Sequence, residues 1–87
     1  MYEIFYSKKS AKQITKNFKN TSLEPKLKNL IYLIKQNPYQ IPPPYEKLLN
    51  TKNCYSRRIN IQHRLVYEIN ENDKKIHILS VWTHYEF

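Results

Sequence analysis

Apolar residues recur along this chain at two different periods, and each change of period marks an element. Tyr2, Ile4 and Tyr6 alternate with polar neighbours, as in a strand with one buried face. The period then lengthens. Ala11, Ile14 and Phe18 recur at helical spacing among lysines, and Ser7 stands where its hydroxyl can cap the first turn. Asn20-Thr21-Ser22 interrupts that helix. Thr21 and Glu24 have capping-box spacing, and Leu23, Leu27, Leu30, Ile31 and Ile34 form the apolar stripe of a second helix. Asn37-Pro38 ends it, because proline cannot continue the hydrogen-bond ladder. Residues 38–53 read as an irregular connection, stiffened into an extended segment by Pro42-Pro43-Pro44, that delivers Glu46 toward the sheet. Strand-like runs return at 54–60, 64–70 and 75–83. Asn70-Glu71-Asn72-Asp73 supplies a hairpin turn in which Asn and Asp accept the left-handed backbone. The order β-α-α-β-β-β predicts an α+β fold: two N-terminal helices packed on one face of a mostly antiparallel sheet, with the other face open.

Composition narrows the function. The 87 residues fit one domain, 1–87. Fifteen Lys+Arg against seven Asp+Glu give a net charge of +8, which favours a polyanionic partner. Lysines scattered over helix faces also fit a role as solvating groups, whereas the arginines cluster at 57, 58 and 64. The lone Cys54 excludes an internal disulfide and a cysteine-only metal site, and suits a reducing cytosol. The absence of a long apolar run or a basic-then-apolar N-terminus predicts a cytoplasmic protein with no membrane association. The chain has no glycine, so phosphate loops built on glycine are absent.

The candidate chemistry sits in Ser56-Arg57-Arg58-Ile59 and His63-Arg64-Leu65-Val66-Tyr67, answered by Trp82-Thr83-His84-Tyr85. Alternation places Arg58, Arg64 and His84 on adjacent strands, with Glu46 arriving from the preceding loop; it leaves open which sheet face is solvent-facing. A carboxylate, an imidazole and an arginine suffice to cleave RNA without a metal or any other cofactor. The carboxylate takes the 2′-hydroxyl proton, the imidazolium protonates the leaving oxygen, and the guanidinium balances phosphate charge. Plainer readings stand beside this one. Glu46 also fits a loop carboxylate paired with Lys47, Arg57 and Arg58 fit contacts to an acidic partner, and Tyr85 fits either base stacking or the core. His63 and His77 read as surface or structural residues.

With these residues in this order, the chain resembles the YoeB (Txe) branch of the RelE/ParE superfamily of bacterial toxins along essentially its whole length. The resemblance implies an mRNA endonuclease acting in the ribosomal A site, with 2′-hydroxyl attack leaving a cyclic phosphate. It implies Glu46 as general base, Arg64 as the phosphate-stabilising arginine and His84 as general acid. Tyr85 matches the family's terminal tyrosine, Arg58 the second arginine of its pair, and Arg57 is assigned to partner or rRNA contact. The implied partners are mRNA, the ribosome and a cognate acidic antitoxin of the YefM kind; relatives occur as dimers and as monomers. The ParE branch, which poisons gyrase and does no RNA chemistry, is the alternative on the same scaffold. Two departures stand out. Leu49 occupies a position where the family often has lysine, which leaves Lys47 or Lys52 to supply the charge. The chain also runs on to Glu86-Phe87, past the usual end.

Overall fold

The computed structural model describes residues 1–49 and 51–81. Its elements are β1 (Glu3–Tyr6), α1 (Lys8–Asn17), α2 (Glu24–Gln36), β2 (Tyr45–Lys47), β3 (Cys54–Arg58), β4 (Arg64–Asn70) and β5 (Lys75–Ser80). The strands form one mixed sheet in the order β1-β5-β4-β3-β2. β1 runs parallel to β5, and the other three pairs are antiparallel. Phe18, Leu27, Leu30 and Ile34 from the helical layer pack against Leu65, Tyr67, Ile69, Ile76 and Ile78 from the sheet. This is the α+β arrangement expected from the pattern. Among the described residues, no helix is long and apolar enough to cross a membrane.

Ser7 caps α1 as expected, accepting the Ser10 amide at 3.0 Å. The same pair docks the helix. Ser7 Oγ donates to the Leu79 carbonyl at 3.1 Å, and Ser10 Oγ donates to the Ile78 carbonyl at 3.0 Å. Gln13 Oε1 accepts the Val81 amide at 2.9 Å. The inward face of α1 is therefore Ser10, Gln13, Ile14 and Phe18, and Ala11, expected inside, is exposed. A small buried serine lets the helix approach β5 closely, so polar pairing does part of the work expected of apolar contact.

Several local expectations are corrected. Thr21 and Glu24 do not form a capping box. Thr21 Oγ1 instead donates to the Phe18 carbonyl at 2.7 Å and accepts the Leu23 amide at 3.3 Å, and the N-cap residue of α2 is Leu23, which makes no side-chain cap bond. In the β4–β5 turn the left-handed residue is Lys74, with φ 54°, while Asn70 accepts the Asp73 amide through its side chain. Asn20 and Asn53, with φ 63° and 62°, serve the other left-handed positions in this glycine-free chain. The largest correction falls in the 38–53 connection, which contains the edge strand β2 paired to β3. Residues 41–43 are bends rather than the extended segment expected, and the Ile41–Pro42 and Pro42–Pro43 peptide bonds are cis.

Glu71, at the β4–β5 turn, ties three parts of the chain together. Its carboxylate accepts from Tyr2 Oη at 2.7 Å, from Tyr39 Oη and from Lys74 Nζ. These bonds, led by that from Lys74, hold the Glu71 carboxyl down at about 2. A depressed folded-state value stabilises the fold above the ordinary carboxylate range, and that contribution is lost as pH falls toward 2. The group is exposed, so the effect is modest and screened by salt. Replacing Glu71 with Gln should lower the melting temperature at pH 6, and the gap from the unmodified protein should close between pH 4.5 and 2. Melting curves across that range check this; a gap independent of pH would show that the carboxylate charge is not what matters.

Candidate active site

The register of the sheet edge decides which side chains share a face. Glu46 is opposite Ser56, Ser56 is opposite Val66, and Arg58 is opposite Arg64. Alternation then puts Glu46, Ser56, Arg58 and Arg64 together on the face away from the helices. There they line a groove of about 90 Å³, with Pro43, Pro44 and Tyr45 as its remaining wall. Arg64 is central. Its Nη1 donates to Ser56 Oγ at 3.2 Å and lies 3.6 Å from Glu46 Oε1. Ser56 is buried at the groove floor, while Arg58 reaches outward and donates to the Ile61 carbonyl at 3.2 Å.

Glu46 is thus paired with Arg64 rather than with Lys47. Lys47 occupies the next position on β2 and falls on the opposite face from Glu46. It is exposed, as is Lys52, and neither lines the groove. Leu49, in the position where lysine was looked for, is 85% exposed. His84 and Tyr85 lie outside the described residues. His63 is buried against the edge of the Phe18 ring, and His77 is exposed beside Phe5, away from the groove.

Arg57 is where the sequence reading goes wrong. Expected at the surface against a partner or rRNA, it is 1% exposed. It points to the helix side of β3, opposite to Ser56 and Arg58, and all three guanidinium nitrogens are engaged. Nε donates to Tyr67 Oη at 2.8 Å, Nη1 to the Pro43 carbonyl at 2.6 Å and Nη2 to the Pro38 carbonyl at 2.8 Å. The guanidinium carbon also stands 4.9 Å from the centre of the Tyr45 ring, a cation–π contact. Tyr55 lies edge-on to Tyr45 and stacks on Tyr67, which closes an aromatic cluster around the arginine. Burial raises the Tyr67 hydroxyl above its ordinary value, and the bond from Arg57 opposes that shift only in part. Burial also pushes the Cys54 thiol up, against the bond to Thr51.

Two parts of the site were missed in the sequence: Ser56 as the groove floor, and the proline run as its wall. Ser56 was legible only as the residue just before the arginine pair, two positions from Arg58 and so on its face of the strand. The proline run carries no periodic signal at all.

The chain matches the model of the YoeB-like toxin of bacterial type II toxin-antitoxin systems over residues 5–85. It is similar to the YoeB dimer from Staphylococcus aureus at 34% identity, with 97% of this chain and 98% of that one covered and a TM-score of 0.74. The YoeB–YefM complex from the same organism aligns at 33% identity over 98% and 99% of the two chains, with a TM-score of 0.73. A YoeB/ParE toxin from Agrobacterium tumefaciens shares the fold at a TM-score of 0.82 and 21% identity, with 95% and 99% covered. The search of curated proteins finds no match.

The Arg64–Glu46 pair is open to solvent, with side chains 30% and 68% exposed. Pairs of this kind contribute at most about 1 kcal/mol. Urea denaturation of the Glu46→Gln protein should therefore give a stability within about 1 kcal/mol of the unmodified chain. A larger loss would make Glu46 a structural carboxylate rather than one held for chemistry.

Proposed function

The chain belongs to the YoeB-like toxins of bacterial type II toxin–antitoxin systems, and from that premise we propose that it is a ribosome-dependent endoribonuclease. The observation that carries the reading is the Glu46 carboxylate 3.6 Å from Arg64, beside Arg58 in one small groove. Glu46 removes the proton from the 2′-hydroxyl of the message. The 2′-oxygen then bonds to phosphorus as the bond from phosphorus to the 5′-oxygen breaks. Arg64, with Arg58 beside it, balances the charge that builds on the phosphoryl oxygens. His84, in the family's general-acid position, gives a proton to the departing 5′-oxygen. The products are a 2′,3′-cyclic phosphate and a free 5′-hydroxyl, and the residues need no metal or cofactor for these steps.

The size of the groove supports dependence on the ribosome. About 90 Å³ is too little to enclose a nucleotide. A groove this small leaves most of a bound message without contacts to orient it. A message already fixed in the A site supplies that order and removes much of its entropic cost. The +8 charge suits both rRNA and an acidic antitoxin of the YefM kind. The related S. aureus toxin occurs both with YefM and as a dimer, so a homodimer is proposed here as well.

Programmed ribosomes incubated with the purified protein should yield mRNA fragments cut within codons and ending in cyclic phosphate. Removing the base by Glu46→Gln should slow cleavage by about 10²–10⁴-fold. His84→Gln should slow it comparably. Full activity of Glu46→Gln would refute the assignment. Intact mRNA together with induction of the DNA-damage response would point to gyrase instead.

A further inference from the structure

Glu46 stands on a weak support. β2 has three residues, lies at the sheet edge and, among the described residues, has β3 as its only strand neighbour. It is entered from residues 38–44, which form no helix or strand. Such an edge segment opens easily, because few buried contacts hold it. What fixes its entry is Arg57. One nitrogen holds the carbonyl of Pro38, just past the end of α2, and another holds that of Pro43, two residues before β2. The third, Nε, is tied to Tyr67 on the central strand β4. The guanidinium also faces the ring of Tyr45, the neighbour of Glu46. Among the described residues no carboxylate pairs with this buried arginine, so its charge is met by carbonyls, a phenol and a ring. A buried charge makes those bonds costly to give up.

We propose that Arg57 is a positioning residue that holds Glu46 in register with Arg64 by clamping both ends of the 38–44 loop to β4. It touches neither the message nor the reacting atoms. It acts through the loop, from the far side of the strand that carries Ser56 and Arg58. The kinetic half of the proposal rests on the nuclease reading; the structural half does not.

The test has two readouts on full-length protein carrying Arg57→Met, Arg57→Lys or Tyr67→Phe. The first is amide hydrogen exchange. The amides of β2, and that of Leu48, which bonds the Cys54 carbonyl at 2.9 Å, should exchange at least about tenfold faster in Arg57→Met. Those of Ile76 and Ile78 in the core should stay near the unmodified rate. Arg57→Lys should restore part of the protection. Tyr67→Phe, which removes one acceptor alone, covers the case in which Arg57→Met does not fold. Uniform acceleration throughout the sheet, or none at β2, overturns the proposal.

The second readout is cleavage on programmed ribosomes. A displacement of Glu46 of order 1 Å should lower kcat by about 10²-fold in Arg57→Met, with KM nearly unchanged and partial recovery in Arg57→Lys. A rise in KM at constant kcat would make Arg57 a binding residue and overturn the proposal. If the unmodified protein does not cleave at all, the nuclease reading fails, and the exchange pattern alone decides the clamp.

Discussion

The buried Arg57 guanidinium is the contact on which the geometry of the site depends. It joins a loop with no regular structure to the centre of the sheet through three hydrogen bonds and a ring. Removing it leaves two carbonyls and a phenol without a donor, at about 1–3 kcal/mol for each group that stays buried and unsatisfied. A chain of 87 residues holds roughly 4–13 kcal/mol of stability in all. One side chain thus carries a large share of the margin. It also sets the parity of β3. With Arg57 pointing to the helix side, Ser56 and Arg58 must point to the groove. A register slip of one residue would bury Arg58, expose Arg57 and dismantle the site.

The groove then follows from strand pairing rather than from any deep cavity. Glu46, Ser56, Arg58 and Arg64 come from three adjacent strands and meet because their register aligns them. Glu46 and Arg64, proposed here for the chemistry, are open to solvent, while Arg57, proposed to place them, is buried. On this reading stability and activity draw on opposite faces of β3. The glycine-free backbone fits this economy. Among the described residues its left-handed positions are taken by Asn20, Asn53 and Lys74, all in connections away from the groove residues. Any strain they carry lies outside the groove.

Much of this was legible in the sequence, for identifiable reasons. The α2 stripe and the β4 alternation are long enough for their periods to stand out, and Ser7 before a lysine-rich helix is a clear cap. Strand alternation brings Glu46 toward Arg64, the family resemblance gives the two residues their roles, and the register aligns them on one face. Four features were hidden. A three-residue strand such as Tyr45-Glu46-Lys47 is too short to show a period. Arg57 and Arg58 are chemically identical in sequence, and only the pairing of β3 tells which is inside. Ala11 lost the inward face of α1 to Ser10 and Gln13, because polar docking onto β5 outweighed the apolar choice. Thr21 bridges the end of α1 and the entry to α2, bonding the Phe18 carbonyl and the Leu23 amide through its hydroxyl, and so makes no capping box with Glu24, a choice that spacing alone cannot resolve.

The central claim is that Arg57 serves the chemistry only by placing Glu46. A double-mutant cycle on the rate of ribosomal mRNA cleavage tests it most directly. If the claim holds, Arg57→Met is severe in the unmodified protein and costs less than about twofold once Glu46 is already Gln, since the carboxylate it positions is gone. If the two substitutions multiply independently, Arg57 acts by another route and does not serve the chemistry by placing Glu46.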